Sequence, residues 1–336
     1  RHQPTRLPAM PTICGSGPSF AHILKTSSRM KDKPTNLRAS VGARLRDVAR
    51  AKNSGLEFIL RRYAIERLLH RLSLSPFRDR FVLKGAMLFT AWLDDPFRPT
   101  QDLDLLSFGD PAIETIATTY RAICGQEAAE DGLVFDTDDV IVEPIRDDQQ
   151  YRGVRIRSRA FLGKTRIPIQ IDIGFGDAIT PAATDIEFPA LLDAKGPHLR
   201  AYPRETVVAE KFQAIVELGL ANSRMKDFYD LLALGRLFAF DGHSVAAAIR
   251  ATFDRRQTPI PAELPIALGQ AFSSDRQKNE QWTAFVGRTP LLVEPGSLPA
   301  TIDEIAAFVM PPTAAIRAGG DFAMNWSPSG PWKAVT

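Results

Sequence analysis

The hydrophobic and polar positions of the chain form their clearest pattern between residues 81 and 108. The apolar run Phe81–Lys84 predicts a short strand, and the Gly-led segment Gly85–Leu93 predicts a turn into a helix. A loop bounded by prolines follows, and a second strand carries Asp102 and Asp104. Because side chains two residues apart in a strand point the same way, we expect both carboxylates on one face.

Helical periodicity covers the residues before this stretch and most of the C-terminal half. Apolar residues three and four apart predict helices between residues 35 and 74. Further strands are predicted at Val140–Ile145, Tyr151–Ser158 and Ile167–Ile173. Further helices are predicted at Pro111–Cys124, at Arg204–Leu218, after Asn222, and at His243–Phe253, Glu263–Phe272, Arg276–Gly287 and Thr301–Phe308. These elements predict an α+β fold, with a mixed β-sheet core flanked by helices and a helical C-terminal half.

The same pattern divides the chain into four expected segments. Residues 1–34 are rich in Pro, Ser, Gly and Thr, so we expect a flexible segment, with the natural start at Met30. Residues 35–195 are expected to hold the N-terminal helices and the α/β core, and residues 196–310 a helical domain. Residues 311–336 are expected to form an extended tail around the body.

Composition adds a mild positive charge and excludes several classes of protein. There are 42 Lys and Arg residues against 39 Asp and Glu, and basic runs at 38–80 and 152–166. This permits a nucleic-acid or nucleotide partner without requiring one, and solvated helix or strand faces are the alternative. Two distant cysteines and five scattered histidines fit neither a disulfide scaffold nor a zinc site. No apolar run has the length of a membrane span, so we expect a cytoplasmic protein with no membrane partner.

Three aspartates are the first candidates for chemistry. Asp102 and Asp104 would repel each other unless a cation or proton lies between them. Mg²⁺ is commonly bound by one or two carboxylates together with substrate phosphates, so the pair suggests a site for phosphoryl or nucleotidyl transfer. The alternative is a solvated pair at a strand end. Asp172 would add a third carboxylate if its strand lay beside the first two, and is otherwise a polar residue on the wet face of a sheet.

Four short blocks, taken in order, resemble the AbiEii/AbiGii family of nucleotidyltransferase-like toxins, which includes the MenT-type enzymes. The blocks are Leu83-Lys84-Gly85-Ala86 with Arg98-Pro-Thr-Gln-Asp102-Leu-Asp104-Leu105; Gln170-Ile-Asp172-Ile-Gly174; Glu210-Lys211; and Arg224-Met-Lys226-Asp227-Phe-Tyr-Asp230-Leu231. Each block is short, and their common order makes the set specific. For the last block the alternative is an exposed salt bridge between Lys226 and Asp230.

The resemblance implies a nucleotidyltransferase-like fold and the transfer of an NMP from an NTP to an acceptor hydroxyl. It implies that Asp102, Asp104 and Asp172 hold Mg²⁺, with Asp172 either completing a second metal site or accepting the proton of the attacking hydroxyl. Lys211 would contact the phosphates, and Asp227 would orient Lys211 or the base. The implied nucleotide-binding residues are Lys84, Gly85, Ala86, Arg98 and Lys211.

Three of these nucleotide-binding assignments have open points. Ala86 stands where many nucleotidyltransferases have Ser or Gly, which removes a hydroxyl but leaves the backbone N–H groups at the helix start. Lys84 could instead be a solvated lysine at a strand end. Arg98 could instead pair with Asp104.

In characterised members of this family the acceptor is the 3′ end of tRNA, and its modification blocks translation. The resemblance therefore implies an RNA acceptor and a cognate antitoxin protein as partners, and basic N-terminal helices would suit an RNA backbone. Two other classes remain open. One is a metal-dependent nuclease that uses the same three carboxylates, and the other is a nucleotide-binding regulator with little turnover. An antibiotic or protein hydroxyl as acceptor is a variant of the first interpretation.

Overall fold

The structure is a computed structural model that describes residues 33–93, 100, 102–145, 153–192, 195–288 and 290–335. Its helices are α1 (Lys33–Ala51), α2 (Leu56–Leu74), α3 (Met87–Leu93), α4 (Ile113–Cys124), α5 (Arg204–Leu218), α6 (Met225–Leu237), α7 (Gly242–Arg255), α8 (Gln270–Ser273), α9 (Arg276–Arg288) and α10 (Leu298–Arg317). Its strands are β1 (Phe81–Lys84), β2 (Leu103–Ser107), β3 (Leu133–Phe135), β4 (Ile141–Ile145), β5 (Gly153–Leu162), β6 (Thr165–Phe175), β7 (Thr184–Glu187), β8 (His198–Ala201), β9 (Phe240–Asp241), β10 (Met324–Trp326) and β11 (Trp332–Ala334).

Eight strands form one mixed sheet in the order β3-β5-β6-β2-β1-β8-β7, and β4 also pairs with β5. Strand β2 runs parallel to β6, and β1 runs parallel to β8. The pairs β1–β2, β5–β6 and β7–β8 are antiparallel. Strands β2 and β6, which carry the predicted carboxylates, are therefore neighbours at the centre of the sheet.

Helices α2 and α4 cover one face of this sheet with apolar side chains. Leucines of α2 and isoleucines of α4 meet the buried Leu103 and Leu105 of β2 and the buried Ile171 and Ile173 of β6. The cavity left between these layers is small, about 30 Å³, and its lining is apolar. This face is a packed core, so polar substrates must be met by the opposite face.

The C-terminal half packs around α5, α6, α7 and α10, and a three-stranded sheet of β9, β10 and β11 closes it. Helix α10 continues through Pro311 and Pro312. A proline at position 312 cannot donate a hydrogen bond to the carbonyl of Phe308, four residues earlier. The Trp332 indole N–H donates to that carbonyl instead, at 2.9 Å, and this bond ties the C-terminal hairpin to the helix.

The predicted fold class is confirmed, and two local predictions differ from the structure. The first residues of the expected extended tail are helical, because α10 runs to Arg317. The helix predicted at Glu263–Phe272 is wrong, since Pro265 interrupts it and only a 3₁₀ turn and the single turn of α8 form. The division into segments stays a prediction.

Helices of the length and apolarity that a bilayer span requires are missing from the described part of the chain.

Candidate active site

A row of four charged side chains crosses the centre of the sheet. Cross-strand pairing places Arg155 of β5 opposite Asp172 of β6, Asp172 beside Asp104 of β2, and Asp104 opposite Lys84 of β1. Paired positions on neighbouring strands project to the same face of a sheet. The row therefore reads cation, carboxylate, carboxylate, cation, on the face opposite the packed core. The strand of Asp172 lies beside the strand of Asp102 and Asp104, which meets the condition stated for a third carboxylate at this edge.

Gly85 shapes the backbone beside Asp104. Its φ of 71° is in the left-handed region that glycine adopts at little cost. A Cβ at this position would come within 2.0 Å of the Asp104 Oδ2 atom. The carboxylate thus occupies the space that any other residue at 85 would fill. Ala86 follows in a buried position at the start of α3.

The raised pKa values of the site follow first from the burial of its acids and then from their clustering. Burial is the main cause that raises the pKa of Asp104 to about 6; Asp172 and Asp102 add to the rise, and Lys84 and Lys226 oppose it. Burial and Asp172 also raise the pKa of Asp102. Such shifts are expected where carboxylates face each other without a cation between them.

Arg155 holds Asp172 through two parallel hydrogen bonds. Its Nε donates to Oδ1 and its Nη2 donates to Oδ2, each at 2.7 Å. Arg155 is not among the residues predicted for the site from the sequence. A signal existed, because the Gly163–Lys164 turn joins β5 to β6 as a tight hairpin, and counting outward from the turn pairs residue 155 with residue 172.

Lys84, at the other end of the row, is held by two acids from later in the chain. Its Nζ donates to Asp177 Oδ2 at 2.7 Å and to Glu210 Oε1 of α5 at 3.2 Å. Burial would lower the pKa of Lys84, but Glu210, Tyr202 and Asp177 outweigh burial and raise it well above the usual range. The alternative of a solvated strand-end lysine is wrong, since this ammonium is a fixed charge beside Asp104.

Lys211 and Asp227 meet, as the sequence predicts, but within a closed ion cluster between α5 and α6. The Lys211 Nζ lies 2.9 Å from Asp227 Oδ1 and 2.5 Å from Asp230 Oδ2, and both carboxylates are fully buried. The Arg224 Nε lies 2.8 Å from Asp227 Oδ2. The alternative of an exposed salt bridge at Asp230 is wrong. Lys226 is the exposed lysine of this block, and its charge acts on Asp102 and Asp104.

The remaining predicted residue, Arg98, lies outside the described residues. The roles predicted for the other site residues stay predictions, with the positions described above.

The carboxylates offer the oxygen donors that Mg²⁺ prefers. Over the described ranges, however, no three or more His, Cys, Asp or Glu side chains are grouped to hold a metal ion by themselves. The donor type and the raised pKa of Asp104 therefore fit a divalent ion that is bound by one or two carboxylates and completed by substrate phosphates.

Two solved structures from Helicobacter pylori are similar to most of the chain. JHP933 is 15% identical over 77% of this chain and 94% of its own, with a TM-score of 0.44. A second structure, described as a candidate nucleotidyltransferase, is 14% identical over 78% of this chain and 99% of its own, with a TM-score of 0.43. No curated protein matches the chain.

The family described as nucleotidyl transferase AbiEii toxin, type IV TA system, matches residues 67–308. This interval covers most of the chain and contains every residue predicted for the site. It confirms the resemblance carried by the four blocks and the prediction of a nucleotidyltransferase. The chain belongs to the AbiEii nucleotidyltransferase toxins of type IV toxin–antitoxin systems.

Proposed function

We propose that this toxin is a Mg²⁺-dependent nucleotidyltransferase that moves an NMP from an NTP to a hydroxyl of RNA, most specifically the 3′ end of tRNA, and so blocks translation. The observation that carries the proposal is the juxtaposition of Asp104 and Asp172 on adjacent strands, on the face away from the core. Membership of a nucleotidyltransferase family supports it.

In this proposal Asp102 and Asp104 hold Mg²⁺, which when bound neutralises the triphosphate and the charge that develops on the transferred phosphoryl group. Asp172 lies beside Asp104, where it can accept the proton of the attacking hydroxyl or complete a second metal site. The acceptor oxygen forms a bond to the α-phosphorus, the bond from that phosphorus to the bridging oxygen breaks, and pyrophosphate leaves. Lys211 and Asp227 are proposed to act on the phosphate side of the site.

The acceptor is proposed to bind along α1, because that helix presents a basic outer face. Its exposed cations are Arg38, Arg44, Arg46 and Arg50, and Lys52 lies just past its end. Asp47 is the one acidic residue among them and pairs with Arg50 at 3.1 Å. An RNA backbone bound by phosphate contacts needs such a face and places few demands on its geometry. A cognate antitoxin protein is proposed as the second macromolecular partner.

The experiment is incubation of the protein with total tRNA and each α-phosphate-labelled NTP in separate reactions, with EDTA as the control. We expect label in RNA from one NTP, pyrophosphate in equal amount, and loss of both in EDTA. RNA that is shortened without any NTP would instead indicate a nuclease. NTP binding in calorimetry without pyrophosphate would indicate a nucleotide-binding regulator. Pyrophosphate without label in RNA would point to an antibiotic or a protein hydroxyl as acceptor.

A further inference from the structure

Arg155 contacts a carboxylate of the proposed reaction and has no assigned role. The guanidinium side chain is 29% exposed and the Asp172 side chain 21% exposed, so the pair lies at the edge of the open face. Both of the hydrogen bonds that the described residues give to the Arg155 side chain go to Asp172. Arg155 therefore hydrogen-bonds one carboxylate, whereas Lys84 at the other end of the row hydrogen-bonds two, Asp177 and Glu210.

The geometry of this pair fixes an orientation as well as a charge. Two parallel bonds from a planar guanidinium set both the position and the plane of a carboxylate. Each carboxylate oxygen has about two lone-pair sites, and Arg155 uses one on each oxygen. Asp172 thus keeps acceptor capacity toward a metal ion or a hydroxyl while it is held in place.

Asp172 needs such a restraint because of its neighbour. It stands directly beside Asp104, and like charges on paired positions push their side chains apart. Without Arg155, rotation of Asp172 away from Asp104 would relieve that repulsion and widen the gap between the two carboxylates.

We infer that Arg155 is a positioning residue for nucleotidyl transfer, which locks the Asp172 carboxylate beside Asp104 so that both can serve one divalent ion. The role of Arg155 in catalysis rests on the proposed function. Its effect on metal binding rests only on the geometry of the four charged residues. A role in charge neutralisation alone predicts the opposite effect on metal affinity, because removing a cation strengthens the attraction of carboxylates for a metal ion.

The test uses Arg155→Gln and Arg155→Lys in the full chain, with Arg157→Gln as the matched control. Arg157 lies two residues along β5 on the same face, is 49% exposed and pairs with Glu143 at 2.7 Å. The first readout is Mn²⁺ binding to the nucleotide-free protein, followed by electron paramagnetic resonance. Outer partners of metal ligands typically contribute about 10–100-fold to affinity or activity.

We expect Arg155→Gln to weaken Mn²⁺ binding by about tenfold or more, and Arg155→Lys by less, because lysine restores the charge without the fork. Arg157→Gln should bind as the parent does. In pyrophosphate release, kcat should fall in the same order while KM for the NTP stays within about threefold. Melting temperatures of all three variants check the fold, and Arg155→Lys keeps the test open if Arg155→Gln is unstable.

Mn²⁺ binding by Arg155→Gln that equals or exceeds that of the parent would overturn the inference. An equal loss in Arg157→Gln would overturn it too, since it would show a general effect of surface charge. If the parent and variants show the expected order of Mn²⁺ affinity but the parent labels no RNA, the proposed acceptor is wrong and the assignment of Arg155 stands.

Discussion

Two pairs of neighbouring carboxylates lie in this molecule, and their surroundings differ. Asp104 and Asp172 sit on adjacent strands, partly exposed, with one cation on each outer side. Asp227 and Asp230 sit one turn apart on α6, fully buried, and both contact the ammonium of Lys211. The first pair lies open to a further cation, whereas the second already encloses one. The sheet pair therefore has room for a metal ion, whereas the helix pair already holds the Lys211 ammonium between α5 and α6.

This difference changes how the predicted role of Lys211 has to be tested. A lysine that contacts phosphates can be removed without harm to the fold. A lysine enclosed by two buried carboxylates cannot, because truncating one partner of a buried ion pair leaves uncompensated charge. Loss of activity in a Lys211 variant therefore says little unless stability is measured beside it.

The largest expected effect is the loss of RNA labelling when a carboxylate of the site is removed, compared with removal of an ordinary surface acid. Asp102→Ala and Asp104→Asn should each lower RNA labelling by at least about 10³-fold, or about 4 kcal/mol of transition-state stabilisation, because each removes a proposed metal ligand. Their melting temperatures should not fall. Asp138→Asn, at an exposed turn position, is the control and should label RNA normally. Retained labelling in Asp102→Ala would remove the role assigned to that residue.

The next effect concerns the closed cluster. Lys211→Met should cost about 3–5 kcal/mol of unfolding free energy in urea, because Asp227 and Asp230 lose the ammonium that they share. Combining it with Asp230→Asn should restore part of that loss, since one buried charge is removed and Arg224 still pairs with Asp227. A Lys211→Met protein with parental stability and no labelling would contradict the comparison and favour direct phosphate contact.

The sequence predicts the open pair better than it predicts the partners of Lys84, and the reason is periodicity. Alternating apolar residues place Asp104 and Asp172 on strands, and a hairpin with a two-residue turn fixes the position of Arg155 by counting. Nothing local predicts that Lys84 meets Asp177 and Glu210, which lie 93 and 126 residues away in the chain. Contacts of that kind depend on how α5 packs against the sheet, which one strand or helix does not encode.

The end of α10 is a second feature that the sequence does not predict correctly. Pro311 and Pro312 predict the end of a helix because each removes a backbone donor. In the structure a tryptophan N–H from the C-terminal hairpin bonds the carbonyl that Pro312 leaves without a donor, so the helix continues. A side chain 24 residues away thus decides a local boundary.

A smaller effect is the pH dependence of protein stability in the absence of metal, which tests the charge of the open pair. The pKa of Asp104 is raised to about 6, so the folded state holds this proton more tightly than the unfolded chain does. Ionisation of Asp104 then costs stability, which falls as pH rises from about 4 to about 6 and stays low above that. In EDTA, Asp104→Asn should resemble the parent near pH 4 and be more stable by about 3 kcal/mol at pH 8. If the extra stability of Asp104→Asn did not change with pH, the ionised Asp104 carboxylate would not be what destabilises the folded parent.

The smallest expected effect is on RNA affinity, and it concerns exposed arginines of α1 that belong to neither carboxylate pair. Arg46→Gln combined with Arg50→Gln on the outer face of α1 should change stability by less than about 0.5 kcal/mol, because both side chains are exposed. KM for RNA should rise several-fold with kcat unchanged, and the slope of log affinity against log salt should fall by about 1–2, as expected when two phosphate contacts are lost. Arg276→Gln, 93% exposed on α9, is the matched control and should leave the slope unchanged. Equal salt slopes in the double variant and the parent would show that the RNA does not contact the outer face of α1.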